Sequence, residues 1–298
     1  MSKQSLASQN PGDLSVVIHT YNEAGILPRA LESVKDIASE IIIYDAKSTD
    51  NIAEIAKKYK AKIFYHDLVS YVELVRNQSI SKASNKWILI LDADEEISKG
   101  LSNEIAKAIK NPKADYYRIP RKNIIFDKWI AHSRWWPDYN IRLFKKGFVS
   151  WNEIIHTVPM TIGKGGDFSD KQDLAIIHNS YKDIDEYFSK MLRYTKAQAE
   201  NLKKNGYKFK WQDIITKPTN EFLSRYFSGK GYKDGVHGLV LSLLQAFSEL
   251  VLYIRLWNYK EMNIDKLEIN TAFNKNIKDL KWWMRKEFSW LKNLPFVS

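Results

Sequence analysis

Asp92 and Asp94 close an apolar run, residues 87–97 (WILILDADEEI), and Glu95 and Glu96 follow them at once. Large apolar residues without a turn former predict a strand buried on both faces. Residues two apart on a strand point the same way, so the two aspartates can face one ligand. Close carboxylates repel unless a cation lies between them, and hard oxygen donors suit Mg2+ or Mn2+. Such an ion would in turn hold a diphosphate. Taken alone, the pair reads more readily as a polar strand end running into an acidic helix start, because Glu is favourable near a helix N-terminus.

The preceding residues favour the first reading. An apolar run at 14–19 (LSVVIH) leads into Tyr21, Asn22 and Glu23, and a second at 40–44 (EIIIY) stops at Asp45. Between them Leu27, Ala30, Leu31 and Val34 recur at i, i+3, i+4 and i+7, the stripe of a helix. Ser48, Thr49 and Asp50 form a helix-start cluster before a second stripe of Ile52, Ile55, Ala56 and Tyr59. A short strand at 61–65 and a helix over 70–84, carrying Arg76 and Asn77, complete the approach to Asp92. Strand and helix alternating in this way imply a parallel sheet with right-handed crossovers. Ligands of open α/β sheets bind outside the carboxyl ends of the strands. Three strands therefore deliver polar groups to one rim.

Neither G-x-G-x-x-G nor G-x-x-x-x-G-K-[ST] is present, so phosphates must be held by side chains and metal rather than by a glycine-rich cradle. A chain of 298 residues with net charge +11 can bury a substantial core and points to an anionic partner. It contains no cysteine, which excludes disulfides and thiolate metal sites. Residues 1–13 are polar and lack a signal-peptide core, so they are expected to be a loose lead-in and the folded part to stay in the cytoplasm.

TYNEAGILPRALESV, IIIYDAKSTDNIAEIAKKY, RNQSI and WILILDADEEIS together resemble the inverting family 2 glycosyltransferases of GT-A fold. The resemblance extends to the branch acting on lipopolysaccharide core and related cell-surface glycans. It implies an α/β, Rossmann-like, mostly parallel sheet with a helical C-terminal region. On matching positions it implies a donor site of Thr20, Tyr21, Glu23, Asp45 and Ser48 at the nucleoside, and Arg76 at the base or diphosphate. Asp92 and Ala93 would face the ribose or sugar, and Asp94, with Asp92, would bind Mg2+ or Mn2+. The donor would be a UDP-linked hexose, and the acceptor a glycan or lipid-linked glycan. His19 and Lys47 depart from the family pattern.

Further along, 116–120 and 141–144 read as strands, and RLFKKGFVSW as a hairpin around Gly147. An inverting transfer needs one carboxylate to deprotonate the acceptor hydroxyl. WWPDYNIRLF resembles the segment where relatives carry that base, which selects Asp138 over Asp127 and Glu153. A turn cap after Pro137 is the structural alternative. Arg142 is expected either to meet the departing diphosphate or to stand as an ordinary surface strand arginine. A late histidine often completes the metal shell in such enzymes, with His156 first and His178 second. Of Trp135 and Trp136, adjacent on a strand, one would face the cleft.

The expected organisation is a lead-in at 1–13, a nucleotide-sugar-binding half at 14–112, an acceptor-side half at 113–180 and a helical region at 181–298. Within the last, residues 238–257 are nearly long enough to span a bilayer. Ser242, Gln245 and Glu249 form a polar stripe, and Glu249 and Arg255 penalise a simple span. The stretch reads as a helix lying in a membrane interface or capping the catalytic domain. Trp257, Tyr259, Trp282, Trp283 and Trp290 among lysines suit anionic headgroups. The expected location is the cytoplasmic face of the inner membrane, with peripheral contact to anionic lipid and no nucleic-acid partner. A sugar-nucleotide nucleotidyltransferase would want a basic glycine-rich loop after the first strand, which HTYNEAG lacks. A non-catalytic basic membrane adaptor would leave the acidic rim without a purpose.

Overall fold

The computed structural model describes residues 12–152 and 158–259, with 274, 277–279 and 281–283 beyond them. Its strands and helices alternate at first: β1 (Leu14–Thr20), α1 (Leu27–Val34), β2 (Glu40–Asp45), α2 (Ile52–Lys58), β3 (Lys62–Tyr65), α3 (Glu73–Ser81) and β4 (Trp87–Asp92). There follow β5 (Glu95–Ile97), α4 (Lys99–Lys110), β6 (Tyr116–Ile125), β7 (Lys128–Trp129), β8 (Asp138–Lys145), β9 (Val149–Ser150), β10 (Met160–Thr161), β11 (Gly165–Asp167) and β12 (Ile176–Tyr181). Three helices close the described chain: α5 (Ile184–Lys204), α6 (Asp213–Leu223) and α7 (Val236–Asn258).

The chain forms two compact units, one of residues up to Ile124 with Pro137–Ser180, the other of Ile125–Trp136 with the residues from Tyr181 on. In the first, the sheet runs β3-β2-β1-β4-β8-β6-β12-β5. β3, β2, β1 and β4 are parallel, and β8 joins β4 antiparallel. This is the α/β, Rossmann-like GT-A arrangement expected, a mixed sheet whose parallel half comes first.

Alternation on β1 explains why the parallel half is stable. Leu14, Val16 and Ile18 pack on one side with Leu27, Leu31 and Val34 of α1, while Val17 packs on the other with Ile42, Ile88 and Ile90. All of these are fully buried. Each such side chain contributes about 1.5–3 kcal/mol on leaving water. The buried residues of α1 are the four of its sequence stripe.

Several elements differ from expectation. The strand through Trp87 ends at Asp92, and Ala93 and Asp94 form a turn before β5, which pairs antiparallel with β12. A strand's two-residue period therefore does not relate Asp92 to Asp94. The next helix starts later, at Lys99, where the Ser98 hydroxyl accepts the Leu101 N–H as an N-cap. Gly147 (φ +87°) turns the chain as foreseen, but β9 pairs with β10 in a separate two-stranded sheet rather than returning along β8.

The second unit is built on α7, which packs against α5 and α6. Asp183 caps α5 by accepting the Glu186 N–H, and the Glu186 carboxylate accepts the Lys182 N–H in return. Tyr187, Met191, Thr195 and Ala199 form the buried face of α5. α7 passes so close to the turn at Gly231 that a Cβ on Gly238 would sit 1.8 Å from the Gly231 carbonyl oxygen. Trp135 packs with Ile125, Ile130 and Leu241, under the Arg225 guanidinium at 5.3 Å, and Trp136 meets Trp129 edge-on. The Trp135–Trp136 pair is thus taken up by packing in this unit.

Candidate active site

The carboxyl ends of β1, β2 and β4 come into line. In register, Thr20 stands beside Asp45, and His19 stands between Tyr44 and Asp92. The three-strand rim read from the sequence is therefore present.

Asp45 is buried, and its carboxylate accepts both the N–H (2.8 Å) and the hydroxyl (2.5 Å) of Ser48. Ser48 Oγ in turn accepts the Asn22 N–H, and the Asn22 side chain accepts the Thr49 N–H. Asp50 accepts the Ala24 N–H. The loops after β1 and β2 are thus tied to each other through short polar side chains. Asn22 (φ +53°) and Lys47 (φ +56°) take left-handed backbone, which Asn tolerates better than most residues. Tyr21 stands 40% exposed above this seam. The Glu23 carboxylate accepts the Tyr21 N–H at 3.4 Å, and its carbonyl starts the turn into α1. Thr20 and Ala93 are buried, their side chains packed rather than presented.

Next to this seam runs a chain of alternating charges. Asp92 is held by Arg76 at 3.2 Å and by Arg142 at 2.9 Å. Arg142 also holds Glu95 at 2.6 Å, and Arg121 lies 3.4 Å from Glu95 and 2.6 Å from Asp138. Glu95 further accepts the Asp92 N–H. Burial works to raise the Asp92 pKa, but Arg142, Arg76 and His19 overcome it and hold the carboxyl well below its usual range. Arg142 is raised, because the pull of Glu95 and Asp92 outweighs its own desolvation. His19 is pushed down to about 3, first by burial and then by Arg76, so it is neutral at physiological pH; its Nε2 lies 2.8 Å from Ser79 Oγ.

Two expectations change here. Arg142, expected at a departing diphosphate, is buried in ion pairs with Asp92 and Glu95. Asp92, expected to share a cation with Asp94, spends both carboxylate oxygens on arginines. Glu95 and Arg121 were not singled out by sequence. Their only local signal is Glu95 beside the aspartates; Arg121 becomes relevant once β6 and β8 pair it with Asp138.

Asp94 meets His178 of β12, with Oδ2 and Nε2 3.6 Å apart. His178 Nδ1 lies 2.6 Å from the Asn123 side-chain oxygen Oδ1 and 2.7 Å from Ser180 Oγ. An Nδ1–H donated to Asn123 leaves the Nε2 lone pair facing Asp94, the usual way an outer residue orients a metal-ligating histidine. Asp94, in the turn before β5, and His178 on β12 offer one carboxylate oxygen and one imidazole nitrogen, a pair that fits a divalent transition ion such as Mn2+ better than Mg2+, which takes oxygen donors. His156, the first-ranked third ligand, lies outside the described residues, as do Glu153 and Trp290. Among the described residues no three acids or histidines gather as a ready-made metal cluster.

Asp138 opens β8, where Arg121, Asn123 and Asn140 all donate to it. Its burial would raise the pKa, but the Arg121 charge and these hydrogen bonds lower it on balance. Asp138 therefore accepts from its surroundings more than a simple turn cap would.

The matching family model is Glycosyl transferase family 2, over residues 15–165. The chain belongs to glycosyltransferase family 2. A glycosyltransferase of Rickettsia typhi is 30% identical to it over 88% of this chain and 91% of its own length. Another, of Rickettsia bellii, is 31% identical over 84% of this chain and 87% of its own. Among solved structures, S. aureus TarS 1–349 in complex with UDP-GlcNAc is 15% identical, with a TM-score of 0.42, covering 86% of this chain and 95% of that one. As a family 2 transferase, this chain has its matched region end within the sheet unit; α5, α6 and α7 lie outside it.

Proposed function

We propose that this family 2 chain is an inverting, metal-dependent transferase. It moves a hexose from a UDP-linked donor to a membrane-carried glycan, of the lipopolysaccharide-core or related cell-surface kind, at the cytoplasmic face of the inner membrane. The observation that carries the reading is the convergence at one sheet edge of the Asp45–Ser48 seam, the Asp94–His178 pair and Asp138. The seam supports nucleoside binding, with Tyr21 exposed above it. Asp94 and His178 would hold Mg2+ or Mn2+, which when bound offsets the negative charge of the donor's diphosphate.

In the reaction the acceptor oxygen attacks the anomeric carbon as the bond from that carbon to the diphosphate oxygen breaks. The hydroxyl proton goes to Asp138, and the nucleoside diphosphate leaves with the bonding pair. Asp138 is ionised at neutral pH, as a base must be, and Arg121 with the two asparagines fixes its direction. Donor hydrolysis with a panel of nucleotide sugars, in Mn2+, Mg2+ or EDTA, tests the proposal. Turnover of a UDP-hexose that EDTA removes is the expected result. Full activity in EDTA removes the metal from the scheme, and pyrophosphate release from a nucleoside triphosphate and a sugar phosphate replaces it with nucleotidyl transfer.

A further inference from the structure

α7 carries apolar residues on both sides, and its polar stripe is on the side that faces protein. Its inward face carries Gly238, Leu241, Ser242, Leu252, Tyr253 and Leu256, all buried, and the Gln245 amide donates to the Tyr187 hydroxyl at 2.9 Å. Arg255 reaches Thr195 Oγ1 and the Leu192 carbonyl of α5. The polar stripe seen in the sequence thus faces protein. Val236, Val240, Leu243, Phe247, Ile254 and Trp257 are left outside, at steps of three, four or seven residues. α5 widens this surface with exposed Ile184 and Leu192, and its Phe188 meets Phe247 edge-on at 6.0 Å. Two adjacent helices therefore present one continuous apolar face.

Charge indicates what covers it. The helical unit holds 23 Lys and Arg against 14 Asp and Glu, a net charge of +9, which leaves +2 of the chain's +11 for the sheet unit. A second copy pressed onto this face would bring two strongly positive units together. An anionic bilayer would receive the apolar stripe and attract the charge around it. α7 is long and apolar enough to cross a membrane by itself. Its inward hydrogen bonds to Tyr187 and Thr195 instead hold it on α5, with one side free.

We propose that the α5–α7 face lies flat on an anionic lipid surface, with Leu243 and Phe247 at its centre. This goes beyond the assigned reaction and stands whether or not the donor and acceptor assignments hold.

The test is flotation of the full chain with vesicles of phosphatidylcholine alone or with about one-third phosphatidylglycerol, at about 50 and 500 mM salt. Binding to the anionic vesicles that weakens at high salt is expected. In L243E/F247E, whose two positions are already exposed, bound protein should fall roughly tenfold or more with the melting curve unchanged. Wild-type protein that stays soluble on anionic vesicles at low salt overturns the proposal. So does equal flotation of the variant, or salt-independent binding to neutral vesicles. A wild-type dimer that the variant converts to monomer, without flotation of the wild type, assigns the face to a second copy instead.

Discussion

Every residue of β1 from Leu14 to Thr20 is buried, whereas α7 turns Ser242 and Gln245 inward and leaves Leu243, Phe247 and Ile254 outside. In the sheet unit, apolar side chains fill both faces of the sheet and charges gather at one edge, where Asp92, Glu95 and Asp138 are matched by arginines. In the helical unit, Leu252, Tyr253, Leu256 and Ala199 pack between helices together with Ser242 and Gln245, while a second set of apolar side chains meets solvent. Burial thus stabilises the first unit in the ordinary way, and the proposed reaction rests on its charges. In the second, the proposed lipid contact rests on the exposed apolar surface, and the inward polar groups help fix helix against helix.

The largest expected effect separates charge that reacts from charge that holds. Asp138→Asn should cut turnover roughly 10²–10⁴-fold while donor affinity stays near wild type. Wild-type turnover in that variant would move the base to another carboxylate.

Removing the holding charge should instead unfold. Arg142→Ala leaves Asp92 and Glu95 buried without their shared partner and should cost about 3–5 kcal/mol in denaturant titration. A loss under about 1 kcal/mol would show that water reaches this edge and that the chain of ion pairs is dispensable.

Glu40 gives the contrast in pH. Burial would raise its pKa, but Lys62, Ser15 and Ser84 bring it down to about 2. Its contribution is complete above about pH 4.5, the ordinary value, and is lost as pH falls towards 2. Glu40→Gln should lower stability at neutral pH by a few kcal/mol and flatten the acid limb below pH 4.5. Glu249 in the helical unit should behave oppositely, since burial raises its pKa. Its protonated form favours the fold, so stability falls as pH climbs above the ordinary Glu value. Glu249→Gln should therefore be more stable than wild type at pH 8 and nearly equal to it at pH 4, read from melts at the two pH values.

The smallest effect belongs to the exposed stripe. Leu243→Ser should change stability by no more than about 0.5 kcal/mol. A loss of several kcal/mol would mean that this face is covered within the folded chain, and the contrast between the units would fail.

The parallel half was legible because its signals are local. Four residues at i, i+3, i+4 and i+7 placed α1, apolar runs ending in Asp45 and Asp92 placed β2 and β4, and the rim followed from the general behaviour of parallel sheets. The bounds of these elements agree with the sequence to within one to three residues.

Partner choice across the fold was not legible. Asp94 meets His178 only because β5 pairs with β12, and Asp138 meets Arg121 only because β8 lies against β6. Nothing near Arg142 in sequence distinguishes a guanidinium aimed at substrate from one buried between two acids. The same limit applies to α7. Its sequence determined a helix with one polar stripe, but a stripe seeks protein as readily as water. Only the tertiary contacts with Tyr187 and Thr195 decided that the polar side faces in. Hydrophobic period depends on neighbours a few residues away, and ion pairing and facing depend on residues tens of positions away that folding alone brings near.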